Sequence, residues 1–323
     1  ATREKQPHPP TPSPNGEGEK ERRGEFDILI PGHYFCDLIF TGMREIPAPG
    51  TEIYAQGMEV VPGGGAINTV VALNRLNVNA GWIGVVGNDF ASRYVSDWLE
   101  GEGIDLSLVE HRDEPFRRLT AALSYPTDRA FITYVDPQAD LIPLLEKQLT
   151  EIRCRHVHFP GLLIDERLPD LIKRWRERGI TVSMDCQHRP HTLNLPLVRE
   201  TLSQLNLFMP NTSEAMRLTE TESLSQAAAE LGAIVPRLVM KDGANGSFLW
   251  EESTMLHAPA LSVTPVDTTG AGDVFNAGFL AAQLAGYDAI TCLRWGNICG
   301  GLSTLGYGGA ASAPHKDAVE KGG

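Results

Sequence analysis

The stretch Val266-Asp267-Thr268-Thr269-Gly270-Ala271-Gly272-Asp273-Val274-Phe275-Asn276-Ala277-Gly278-Phe279 holds the densest chemical signal in the chain. Gly270 and Gly272 permit backbone conformations closed to other residues. The apolar period Val274, Phe275, Ala277, Gly278, Leu280, Ala281 starts a helix directly after them. A glycine turn opening a helix points several N–H groups outward at the positive end of the macrodipole, which makes an anion hole. Asp273 lies in the first helical turn. A carboxylate at that place can simply cap the helix. Beside an anion hole it can instead orient and deprotonate a hydroxyl that attacks a phosphoryl group held by the amides. The helix end is expected to keep Asp273 ionised and therefore a weak base. A loose phosphoryl-transfer transition state demands little early proton removal.

Five further segments carry polar residues at telling places. Pro62-Gly63-Gly64-Gly65-Ala66-Ile67-Asn68 is a glycine run that opens a helix. A dinucleotide loop would show G-x-G-x-x-G and a later acidic residue after a strand, and both are missing. Gly32-His33-Tyr34-Phe35-Cys36-Asp37 follows the first apolar run. A carboxylate at a strand's carboxyl end faces the usual ligand crevice, although Asp37 could also be a plain turn residue. Asn211-Thr212-Ser213-Glu214 puts Asn211 and Glu214 together at i, i+3 on a starting helix, which is also the spacing of a capping box. Val239-Met240-Lys241-Asp242-Gly243 reads as a strand ending in a glycine-containing hairpin turn. Asp185-Cys186-Gln187-His188-Arg189-Pro190-His191 clusters metal-capable side chains, but Cys186, His188 and His191 form a weak ligand set. His156 and His158 alternate along a strand and are expected to be structural.

The segment Asp-Thr-Thr-Gly-Ala-Gly-Asp-x-Phe-x-Ala-Gly-Phe resembles the C-terminal signature of the ribokinase-like (PfkB) carbohydrate kinases. The other segments match that family in order, over about residues 26–312. The resemblance implies an ATP-dependent kinase acting on a hydroxymethyl group of a sugar or sugar-like substrate. Asp273 would be the base, and Gly270, Ala271 and Gly272 the anion hole. Asp37, Gly63, Gly64 and Asn68 would bind substrate. Asn211, Lys241 and Gly243 would lie near the nucleotide, with Asn297 beside the adenine. Glu214 would hold Mg²⁺ through water. Asp267 and Thr269 match positions associated with K⁺. Gln187 stands where the family's D-x-N-x-R loop has Asn, and Phe35 where ribokinases have Asn, which argues against ribose itself. The alternatives are a nucleoside kinase of the same family and a non-catalytic relative that binds a sugar or nucleoside. The intact set Asp273, Gly270, Gly272, Asn211 and Glu214 favours catalysis.

These residues need a frame. Runs such as Asp27–Pro31, Trp82–Val86, His156–Phe159, Thr181–Met184, Leu207–Met209 and Leu238–Met240 are continuously apolar, as in strands buried on both faces. Amphipathic stretches such as Ala91–Leu99, Arg167–Arg178 and Leu197–Leu205 lie between them. The expectation is a doubly wound, mostly parallel α/β sheet flanked by helices, with right-handed crossovers. Asp37–Val61 and Arg117–Val135 alternate instead. They are expected to form a small antiparallel β lid that covers the sugar and pairs with its copy in a homodimer. Arg117, Arg118 and Arg129 fall in this lid sequence. The expected layout is a disordered Pro-rich tail over 1–24, the kinase domain over 25–312 and a C-terminal tail over 313–323.

Composition narrows the partners. The chain has 323 residues, 42% of them hydrophobic, which suffices for a sizeable core. Its formal net charge of −13 disfavours nucleic acid and anionic membranes. Neither an apolar run of about 20 residues nor an N-terminal signal segment is evident. The 5 cysteines are odd in number and lack C-x-x-C spacing, as expected for reduced thiols in a cytoplasmic protein.

Overall fold

The continuous apolar runs become strands, since a strand between two helical layers buries both faces. In this computed structural model, residues 25–322 are described apart from 126–128, 138–139, 188–189 and 253. The Pro-rich segment 1–24 and His188 therefore lie outside the described residues. The strands are Glu25–Pro31 (β1), Phe35–Thr41 (β2), Gly57–Gly63 (β3), Ala80–Ile83 (β4), Val85–Val86 (β5), Glu110–His111 (β6), Arg118–Ser124 (β7), Arg129–Val135 (β8), Arg153–Phe159 (β9), Thr181–Met184 (β10), Leu207–Phe208 (β11), Arg237–Lys241 (β12), Ser247–Glu251 (β13) and Thr254–Ala258 (β14). Eight of them form the central sheet in the order β14-β13-β12-β11-β10-β9-β1-β4. Pairing is parallel from β4 through β12 and antiparallel at β12–β13 and β13–β14. Ile28, Leu29, Ile30, Trp82, Val157, Val182 and Phe208 on these strands are fully buried.

The two alternating regions form a separate four-stranded sheet in the order β3-β2-β7-β8. Each hairpin, β2–β3 and β7–β8, is antiparallel as expected. The hairpins join through one parallel pair, β2–β7, in which Asp37 sits opposite Thr120. Thr120 in turn faces Thr133 on β8, so a polar row crosses three strands. The next row on the same face, Ile39, Ala122 and Phe131, is apolar.

The carboxyl ends of β1, β9, β10 and β12 gather Gly32, Pro160, Asp185 and Lys241 at one edge of the central sheet. Ligands bind at this edge in open α/β sheets. The last residues do not trail away as the expected 313–323 tail. Lys316–Glu320 is a short helix, and its Val319 is buried at 2% exposure. Among the described residues, no helix is long and apolar enough to cross a membrane.

Candidate active site

Two helices aim their amino ends at this edge. The helix Gly65–Arg75 begins after Gly64, and the helix Ala271–Leu284 begins after Gly270. Gly270 has φ +77°, a left-handed conformation that favours glycine. A Cβ there would also lie 2.6 Å from the Asn68 amide nitrogen. Neither helix has a side-chain cap at its amino end. The first-turn N–H groups have no partners within their own helix, which is the physical basis of an anion hole.

Asp273 stands where the two helices meet. Its Oδ2 accepts from Asn68 Nδ2 at 2.9 Å. Asn68 was expected to touch substrate, yet it lines neither cavity and is 4% exposed. Its Oδ1 accepts from Ala310 N at 2.9 Å, so the amide is oriented from both ends and positions Asp273. Burial works against the expected ionisation of Asp273. Burial raises its pKa to about 7, and the nearby Asp185 and Glu214 carboxylates push the same way. Loss of water outweighs the helix end, the Asn68 hydrogen bond and the Lys241 charge.

A cavity of about 730 Å³ opens on one side of Asp273. It is lined by Gly270, Ala271, Gly272, Asn211, Glu214, Lys241, Gly243 and Asn297. All the residues expected near the nucleotide therefore share one space with the anion hole. Asn211 and Glu214 form a full capping box: Glu214 N donates to Asn211 Oδ1 and Asn211 N donates to Glu214 Oε2. Burial and Asp185 raise the pKa of Glu214, so a divalent cation beside it would offset both penalties. Asn297 donates to the Ala258 and Pro259 carbonyls at 3.0 Å each, fixing the loop that forms one wall.

A smaller chamber of about 210 Å³ lies under the small sheet. Phe35, Asp37, Thr120, Phe131, Thr133 and Gly64 line it, with Asp267 and Thr269 at its base. Burial raises the pKa of Asp37 to about 6, opposed by a Thr120 hydrogen bond and reinforced by Asp267. Gly63 does not line the chamber. Its backbone packs on Asp37, and a Cβ there would sit 2.1 Å from Oδ2. Asp267 Oδ1 accepts from Thr269 N and its Oδ2 from Gly308 N. Arg117 pairs with Asp136, and buried Arg118 donates to the Tyr34 carbonyl and stacks on Phe35.

Sequence reasoning missed Asp185 and Asn276. Lys241 Nζ donates to Asp185 Oδ2 at 2.5 Å and to Asn276 Oδ1 at 3.2 Å. Asn276 Nδ2 donates to Asp185 Oδ2 at 2.6 Å. Asn276 lies inside the Asp273 motif and Asp185 opens the His/Cys cluster, so both stood in flagged segments. Among the described residues no cluster of three or more His, Cys, Asp or Glu could hold a metal ion, and the Cys186–His191 reading includes His188, which lies outside them.

Fold and site together are those of a small-molecule kinase. The pfkB family carbohydrate kinase profile matches residues 29–316. The chain belongs to that family, and it is a kinase. It is 27% identical to a ribokinase of Bacillus subtilis, over 91% of this chain and 98% of the relative. It is 30% identical to an ATP-dependent ribose-1-phosphate kinase of Halopiger xanaduensis, over 90% and 96%. The structure of Arabidopsis thaliana ribokinase complexed with ribose and ATP superposes with TM-score 0.78 at 22% identity, covering 92% of this chain and 98% of that one. At that identity the likeness speaks for the fold alone.

Proposed function

We propose that this kinase transfers the γ-phosphoryl group of ATP to a hydroxymethyl group of a neutral sugar or sugar-like substrate. One observation carries the reading. Asp273 stands at the opening of a helix whose first residues, with Gly270, line the large cavity, while Asp37 and Thr269 line the smaller chamber beside it. ATP occupies the large cavity, with its terminal phosphate on the Gly270, Ala271 and Gly272 amides. The substrate lies in the chamber with hydroxyls on Asp37. Asp273 orients the acceptor hydroxyl and takes its proton, and Asn68 holds the base in place. Mg²⁺ held through water by Glu214 would neutralise charge on the phosphates. A monovalent cation at Asp267 and Thr269 belongs to the same reading, as does a cytoplasmic location. Relatives named as ribokinase, fructokinase and nucleoside kinase support the class of acceptor and leave its identity to experiment. ADP release should be followed by a coupled assay across free sugars, sugar phosphates, sugar acids and nucleosides. Turnover with a free sugar supports the reading. Turnover confined to nucleosides would move the substrate class, and none above background with any acceptor would sink it.

A further inference from the structure

A turn over residues 308–313 reaches three parts of the site through its backbone. Gly308 N donates to Asp267 Oδ2 at 3.1 Å, and Ala310 N donates to Asn68 Oδ1 at 2.9 Å. Gly309 lies against the anion-hole turn, where a Cβ on Gly270 would stand 2.9 Å from Gly309 Cα. Gly308 abuts the small sheet, where a Cβ would meet Val61 on β3 at 2.9 Å, and Ala311 packs against Ile39, Val61 and Ala122. Gly308, Gly309 and Ala310 are buried. Whatever fixes this turn therefore also fixes the Asn68 amide.

The turn closes on itself. Ser312 N donates to the Gly308 carbonyl at 3.0 Å and Ala313 N to the Ala310 carbonyl at 3.3 Å. These bonds set its shape, not its place. Its place is set by one guanidinium: Arg75 Nη1 donates to the Ala311 carbonyl at 3.1 Å and to the Ala313 carbonyl at 2.7 Å. Arg75 ends the helix Gly65–Arg75, which carries Asn68 near its start. A basic residue in a last turn ordinarily serves its own helix's carbonyls. Arg75 instead reaches residues 236 and 238 positions further along the chain. Glu102, just past the helix Phe90–Gly101, holds the other side of the fork: Nε donates to Oε2 and Nη2 to Oε1, each at 2.9 Å. Asn74 Nδ2 in turn donates to the Glu102 carbonyl at 3.0 Å. Four of the five guanidinium hydrogens are thus placed, and the side chain is 10% exposed.

We infer that Arg75 is a positioning residue for Asp273, acting through the 308–313 turn and Asn68. Oriented by Glu102, the guanidinium clamps the turn; Ala310 N then holds Asn68, and Asn68 Nδ2 holds Asp273 Oδ2 at 2.9 Å. The helix Gly65–Arg75 is tied to the turn twice, by Asn68 near its start and by Arg75 at its end. Two fixed points on one rigid helix leave the amide little freedom to swing. A planar fork spans a carboxylate and two carbonyls at once, and a lysine ammonium does not. The effect on turnover rests on the kinase reading above, whereas the effect on the turn does not.

Hydrogen exchange read by mass spectrometry tests the clamp without any substrate. In Arg75→Met, peptides spanning residues 306–313 should exchange roughly tenfold faster than in the wild-type chain, while peptides over β9 and β12 keep their rates. Arg75→Lys, which keeps the charge and the apolar stem, should accelerate the same peptides and spare the same strands. Unchanged exchange in the turn, or an equal acceleration throughout the molecule, overturns the clamp. Kinetics supply a second reading once an acceptor is found. Arg75→Met should lower kcat on the order of tenfold and keep the ATP KM within about threefold, because a small displacement of a catalytic group is costly. In an Asn68→Ala background the same substitution should change kcat by less than about twofold, since its effect runs through Asn68. Equal losses in both backgrounds, or a normal kcat in Arg75→Met despite an accelerated turn, overturn the positioning role.

Discussion

Asp273 is the side chain whose environment matters most. Burial pushes its carboxyl up to about 7, so kcat/KM should rise with pH through about 7 as the base becomes ionised. A kcat/KM that is flat from pH 5 to pH 9 would remove Asp273 as the titrating base. The same shift has a consequence for stability. A carboxyl whose folded-state pKa lies above its unfolded value binds its proton more tightly when folded. That stabilisation is full below the unfolded value near 4 and is lost as pH rises through about 7. Asp273→Asn keeps the shape and removes the charge. Its Tm should match wild type near pH 4 and exceed it at pH 8, while kcat falls by about 10²–10⁴. A Tm difference of the same size at both pH values would contradict the buried-charge account. Glu214→Gln should raise the Mg²⁺ requirement more than the sugar KM, because the carboxylate and not the capping geometry anchors the metal's waters. A change confined to sugar KM would take Glu214 out of the metal site.

Helices and strands bring these side chains together across long stretches of sequence. Asn68 and Asp273 are 205 residues apart, and two helix amino ends deliver them to one point. The turn before the first of these helices is built on a close approach. Gly63 lies against Asp37, so Gly63→Ala would force the carboxylate aside. Sugar KM should rise at least tenfold with ATP KM little changed, and equal effects on both would mean the strand itself has moved. The parallel strands of the central sheet were legible in the sequence because burial on both faces leaves a continuous apolar run, whereas the antiparallel edge strand β14 is largely exposed and left none. The glycine turn at Gly270 was legible because a left-handed turn followed by a helical period leaves a local signature. The parallel β2–β7 pair was not, since it joins segments about 80 residues apart and nothing local marks its register. Asn68's partner and the Lys241–Asp185 pair were hidden for the same reason. The raised pKa of Asp273 was hidden more deeply. A helix end is visible in sequence, but the desolvation that overrides it exists only after packing.

The small sheet joins the chemistry to the outside of the molecule. Its inner face holds Asp37 and roofs the smaller chamber, and β8 is its outer edge. Along that edge Ile132 is 66% exposed and Tyr134 52%, on the face opposite Phe131 and Thr133. An unpaired edge strand carrying large exposed apolar side chains invites another chain. A second copy could cover it with two-fold symmetry, each small sheet facing the other. The lid would then be braced from outside, which matters because water competes with the sugar hydroxyl for the phosphoryl group. Light scattering should therefore show a dimer at micromolar concentration, and Ile132→Lys should shift it to monomer without lowering Tm by more than a few degrees, because the side chain contributes to no core. The monomeric variant should also hydrolyse ATP faster in the absence of sugar. A wild-type protein that is monomeric under these conditions, or an Ile132→Lys variant that remains dimeric, would place the subunit contact elsewhere or remove it. An unchanged ATPase in a monomeric variant would separate bracing of the lid from dimerisation.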